Sequence, residues 1–206
     1  ADPCGLVRVE YLDEFKGLID IWQPELNVLK RDPELVRWFQ ENSKRFWFYE
    51  APGPAKSLLP LGHYRAFGWY AWYFGTEGCG YWVYKSNDDW FFIEGDYSVV
   101  YQTNEDTVAS RRSEADRDGV EDYRMFYVLK QEIDKARSMG HADEAASAEQ
   151  LAREAVDNVI GWNIKNIDEI TRATRDYEID LKTILEYRAK IKDEILRLRT
   201  LTGGLE

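Results

Sequence analysis

The sequence predicts an α/β protein with a parallel sheet, followed by a helical C-terminal part, on three observations. Short apolar runs alternate with amphipathic stretches over the first hundred residues, which is the grammar of βα units. Those runs are apolar on both faces, as strands covered from both sides must be. From about Val108 onward the strand-like runs disappear and helical periodicity takes over. The chain thus divides into residues 1–107 and residues 108–206.

The elements follow from local chemistry. "LVRVEYL" and "GLIDIWQP" have strand character, being apolar, β-branched or aromatic and ended by charge or proline. "DPELVRWFQENSK" reads as a helix with Asp32 at its N-cap, Pro33 in the first helical position and Glu34 in the first turn. "RFWFYEAP" is the next strand, stopped by the breaker "APGP". "LGHYRAFGWYAWYFG" carries bulky residues around most of a helical wheel, which predicts a buried helix ending at Gly75. "CGYWVYK" is a fourth strand, and Ser86 to Asn104 reads as a long loop. A long helix is expected from about Val108 to Gly140, with Val120, Tyr123, Phe126, Tyr127, Leu129 and Ile133 as its apolar positions. "DEAASAEQLAREAVDNVIGW" and "YEIDLKTILEYRAKIKDEILRLRTL" supply two more helices. The last has only about three heptads, so packing on its neighbours is expected over a coiled-coil dimer.

Bulk composition narrows the function. With 206 residues, 44% of them hydrophobic, there is material for one domain with a real core. A formal net charge of -11 repels phosphate backbones and anionic membranes, and no basic stripe overrides it, so neither nucleic acid nor membrane is expected as a partner. No apolar run approaches the roughly 20 residues of a spanning helix. The start, "ADPCGLVRVE", lacks a Met and an apolar signal segment, so a processed or engineered terminus is expected. Two cysteines and two distant histidines assemble neither a disulfide framework nor a zinc site. No strand is followed by GxGxxG or GxxxxGK[ST], so no nucleotide and no other cofactor is expected.

Strand–helix alternation is shared by open doubly wound sheets and by closed barrels, and periodicity does not separate them. The order of segments adds to it. "GLIDIWQPEL", "FWFYEAPGP", "HYRAFGWYAWYFGTEGCGYWVY", "YSVVYQ" and "SRRSEADRDGVEDYRMFYVLK" together resemble the C-terminal half of the barrel domain of glycoside hydrolase family 123 and related glycoside-hydrolase-like bacterial domains of unknown function. The most specific piece is "SRRSEADRDGVEDY", which is similar to the family pattern S-x-R-x-E-x-x-R-x-G-x-E-D-Y. The resemblance implies the C-terminal part of a (β/α)8 TIM-type barrel: about four βα units in residues 1–107, then the last barrel helix and C-terminal helices in 108–206. A whole barrel needs about 250 residues, so the first half is expected to lie outside this sequence.

Family members are β-N-acetylgalactosaminidases in which the sugar's own acetamide is the nucleophile, an Asp orients it and the following Glu is the general acid, a departure from the two-carboxylate scheme. Asp13-Glu14 is the tempting match. In the family that pair lies far upstream of the "DIW" strand, whereas here only five residues intervene, and Phe15 replaces the usual proline. The pair is therefore read as a connector, no catalytic residue is assigned, and the chain alone is expected to be inactive. The resemblance favours an extracellular or periplasmic setting.

Barrel chemistry sits at the C-terminal ends of strands. The expected substrate-binding residues are Trp22 and Gln23, Tyr49 and Glu50, Trp82 and Tyr84, and Trp90 in the following loop. Tyr and Trp suit a sugar because their faces stack on C–H bonds while a hydroxyl or indole N–H reaches a hydroxyl. The carbohydrate expected is a glycan or an N-acetylhexosaminide. The dense charges of "SRRSEADRDGVEDYR" read as helix-surface pairing, Glu114 with Arg117 and Arg117 with Glu121. A half barrel exposes strand edges, so a homodimer or a chain supplying the missing half is expected. The competing readings are a non-catalytic carbohydrate-binding or scaffolding relative, and a helical interaction module recruiting a partner through the tail.

Overall fold

The computed structural model describes residues 8–50, 61–81, 99–102, 105–167 and 179–203. Within them the protein is mixed α/β, with a small parallel sheet and a predominantly helical remainder.

The first element is a helix, α1 (Val9–Asp13), where "LVRVEYL" predicted a strand. Val9 and Leu12 are three apart, and burying Leu12 from a short helix satisfies both without a strand neighbour. Strand β1 is confined to Ile21–Trp22, shorter than "GLIDIWQP" suggested. A helix with no counterpart in the sequence reading, α2 (Leu26–Arg31), follows directly. Helix α3 (Pro33–Asn42) starts as expected: the Asp32 carboxylate accepts from the backbone N–H of Glu34 at 2.8 Å and of Leu35 at 3.2 Å, with Pro33 at the first position. Strand β2 (Arg45–Glu50) comes next.

The aromatic stretch folds as two consecutive helices, α4 (Leu61–Arg65) and α5 (Phe67–Phe74), and Gly75 closes the second in the left-handed conformation at φ 66°. Most of its aromatics are core: Tyr64, Phe67, Trp69, Tyr70 and Phe74 are buried. Strand β3 (Gly78–Tyr81) completes a parallel sheet in the order β1-β2-β3. Trp22 pairs with Phe46, Phe48 with Cys79, and Glu50 with Tyr81.

Part of the expected long loop is an antiparallel ribbon, β4 (Val100–Gln102) with β5 (Thr107–Ala109); residues 86–98 lie outside the described residues. The long helix α6 (Arg111–Ser138) therefore begins later than Val108, after the β-branched pair Thr107-Val108. Ser110 sets the start, since its hydroxyl accepts from the N–H of Arg112 and Ser113 while Ser113 Oγ accepts from the Ser110 N–H. Of its apolar positions Phe126, Leu129 and Ile133 are buried, whereas Val120 and Tyr127 are exposed.

Helix α7 (Ala142–Val156) continues through a π-helical turn (Asp157–Gly161) into α8 (Trp162–Lys165). Helix α9 (Leu181–Leu201) is capped by Asp180 and packs Ile184, Ile191, Ile195 and Leu198 into the shared core alongside α6 and α7.

Candidate functional site

Successive strand residues point to opposite faces, and the register sorts the candidate residues into two sets. Trp22, Phe46, Phe48, Glu50, Cys79 and Tyr81 share one face. The helices cover it: Phe39 of α3 lies 5.6 Å from Trp22 and 5.4 Å from Phe46, and Phe67 of α5 lies 6.1 Å from Phe48 and 5.9 Å from Tyr81. Ile21, Trp47, Tyr49, Gly78 and Gly80 occupy the opposite face and are all half-buried.

Of the expected sugar-binding residues, Gln23 and Tyr49 stand on or beside this open face. A Cβ on Gly80 would lie 2.7 Å from Gln23 Nε2, so the glutamine amide is laid across β3, donating to the Phe48 carbonyl at 3.5 Å. A Cβ on Gly78 would lie 2.9 Å from the Trp47 indole in the same way. The glycines at 78 and 80 thus clear room for the Trp47 and Gln23 side chains. Tyr49 is fixed at the strand end, where its N–H donates to the Pro24 carbonyl at 3.1 Å and its backbone bridges to Glu25.

Trp22 and Glu50 are placed on the helix-covered face instead. Trp22 is 2% exposed and packs edge-on against Trp38 at 5.7 Å. Glu50 is fully buried, in a polar layer with His63 and Tyr64 of α4, Tyr81 of β3 and Arg112 of α6. The His63 and Tyr64 rings stand 5.0 Å apart, and those of Tyr64 and Tyr81 5.6 Å. Burial, the neighbouring Tyr64 and the Glu50 charge all raise the Tyr81 pKa, while Arg112 pulls it down. Burial raises Tyr64 as well, against Tyr81 and Arg112. Both phenols therefore stay protonated near neutrality. Trp82, Tyr84 and Trp90 lie outside the described residues.

Beside this layer, burial pushes Asp116 of α6 up to about 6, and burial with the Asp116 charge pushes the Cys79 thiol up to about 12. Asp13 accepts a hydrogen bond from Trp38 Nε1 at 2.6 Å, and Glu14 forms the C-cap of α1. Along α6 the Glu114–Arg117 pair forms at 2.7 Å, but Glu121 pairs with Arg124 rather than with Arg117. The weight of the "SRRSEADRDGVEDY" segment lies elsewhere, in its buried Asp122. Its carboxylate accepts from Arg65 Nε at 2.7 Å, Trp69 Nε1 at 3.1 Å and Arg188 Nε at 2.8 Å.

Sequence reasoning missed Trp47, the two strand glycines and the Tyr64–Tyr81–Arg112 layer. The G-x-G spacing of 78 and 80, together with Trp47 two residues before Tyr49, was the available signal. Among the described residues no group of three His, Cys, Asp or Glu side chains converges as a metal site, and no helix is long and apolar enough to cross a membrane. No family model matches the chain, and no curated protein does.

Proposed function

We propose that the half-buried face of the β1-β2-β3 sheet is the inner face of a glycoside-hydrolase-like (β/α) barrel, and that it binds a carbohydrate of the N-acetylhexosaminide class. The observation that carries this reading is the difference between the faces: α3 and α5 pack on the same face of a parallel sheet, and the other holds Trp47, Tyr49 and Gln23 half-buried. Parallel sheets occur almost only with both faces covered, and in a barrel the further strands lie opposite this face. Sequential strand order with helices outside is also how a barrel is wound.

The chemistry supports binding over cleavage by this segment alone. An indole and a phenol offer stacking faces, and the Gln23 amide offers a donor and an acceptor for hydroxyl or acetamide groups. The strand carboxylate, Glu50, is turned to the helices, Asp13 ends α1 and Glu14 is its C-cap. In a substrate-assisted mechanism the acid and the acetamide-orienting carboxylate then come from the strands that complete the barrel.

Calorimetric titration with N-acetylgalactosamine and with oligosaccharides ending in it tests the reading. We expect binding that weakens about tenfold in Tyr49→Ala, which loses one stacking face, and no turnover of aryl N-acetyl-β-galactosaminides. Absence of binding at millimolar sugar, or affinity indifferent to both Tyr49→Ala and Gln23→Ala, would sink the proposal.

A further inference from the structure

We propose that the groove bounded by α5, α6, α7 and the π-helical turn is a second binding site, for a small carboxylate with a flat apolar body. The groove has a volume of about 520 Å³ and shares no lining residue with the sheet face. That size lies within the range of roughly 300–1,000 Å³ typical of small-molecule sites. Its floor is flat because the Trp72 indole stacks on Phe126, centroids 5.2 Å apart and planes 14° from parallel. Leu129, Ile133, Val156 and Ile164 surround the stack, so a ligand body laid on the floor meets mostly carbon, with the charged groups at the rim. Such a floor disfavours a free sugar, whose many hydroxyls would go unpaired.

The rim fixes the charge of the ligand. Lys130 pairs with Asp134 at 2.7 Å and Lys165 with Asp157 at 2.5 Å, so these four charges are neutralised in place. Arg153 differs. The carboxylates one helical turn to either side of it, Glu149 and Asp157, are engaged elsewhere, by Arg137 at 2.7 Å and by Lys165. Arg153 donates to the neutral amide oxygen of Gln150 at 3.3 Å, and the Gln150 amide in turn donates to Glu154. An exposed guanidinium at the edge of an apolar groove, without a carboxylate of its own, is matched by an anion that accepts two parallel hydrogen bonds.

The π-helical turn is the independent observation. Asp157–Gly161 inserts a wider turn at the point where α7 passes the groove, and such turns gather at functional sites. Gly161 is needed there, because a Cβ at that position would come 2.5 Å from Asp157 Oδ1. The turn and its glycine keep Asp157 folded back toward Lys165 and leave the end of the groove to Arg153.

The test is calorimetric titration of the intact chain with 2-naphthoate and with the uncharged 2-naphthalenemethanol, repeated on Arg153→Gln and Ala152→Leu. We expect 2-naphthoate to bind more tightly than the alcohol. Arg153→Gln should weaken 2-naphthoate about tenfold, the worth of one charge-assisted hydrogen bond, and leave the alcohol unchanged. Ala152→Leu, which fills the groove, should weaken both. Should that variant fail to fold by circular dichroism, the exposed Arg153→Gln decides alone. Equal affinity for acid and alcohol, an Arg153→Gln effect on both ligands alike, or no binding of either at millimolar concentration would each overturn the proposal.

Discussion

Asp122 is the residue on which four helices converge. It is fully buried on α6 and holds Arg65 of α4, Trp69 of α5 and Arg188 of α9 at once. Burial opposes the Arg65 charge, yet the hydrogen bond and charge of Asp122, helped by Asp118, leave its pKa above the ordinary value. Asp122→Ala strands that guanidinium in the core and should cost about 3–5 kcal/mol in denaturant unfolding. Asp122→Asn keeps the shape and one acceptor and should cost less. Asp116, three positions from Gly119, makes a pH prediction. Its folded pKa of about 6 stands above the ordinary 3.8, because burial penalises the charged form. Between those values the unfolded chain has released the proton and the folded one keeps it, so stability falls as pH rises from about 4 to about 6 and is level above. The loss is at most roughly 3 kcal/mol. Asp116→Asn should remove this slope in melting temperatures taken across that window, and an unchanged slope would assign it to other groups.

At the scale of elements, the α5–α6 crossing depends on two glycines. A Cβ on Gly68 would collide with the Gly119 carbonyl, and a Cβ on Gly119 with the Arg65 carbonyl, so the backbones touch there. That contact brings Asp122 within reach of Arg65 and Trp69. Gly119→Ala gains about 1 kcal/mol of helix propensity but must push the helices apart, and the net cost should be about 3 kcal/mol. Gly140, at φ 90° with open space around it, is the control. Gly140→Ala incurs only the left-handed strain, about 1–2 kcal/mol. Denaturant midpoints of the two variants separate a packing requirement from a conformational one. The ends of α3, α5 and α6 were readable because caps are local: Asp32-Pro33, Gly75 and Gly140 sit within a turn of what they stop. Helix α2 was not, since six residues after a proline carry too little period to read.

For the whole molecule, the face with Trp47 and Tyr49, only half-buried among the described residues, predicts association, because a parallel sheet is stabilised by a layer on each face. Light scattering at high protein concentration should give a mass above the monomer, and Trp47→Lys, a charge on that face, should return the protein to monomer. A single monomeric species at every concentration would show that the face is covered within the chain itself.

Sequence by itself determined that the protein is α/β, where α3 begins and where α5 and α6 end. Each of these rests on neighbours a few residues apart. That Trp22 and Glu50 face the helices while Gln23 and Tyr49 face away, where the sequence offered all four for one site, was settled only in three dimensions, when α3 and α5 docked on one side of the sheet. The partners of Asp122 were hidden for the same reason: Arg65 and Arg188 lie 57 and 66 residues away in the chain. Local spacing shows which charges a helix carries, but tertiary packing, by removing water from some of them, decides which are buried.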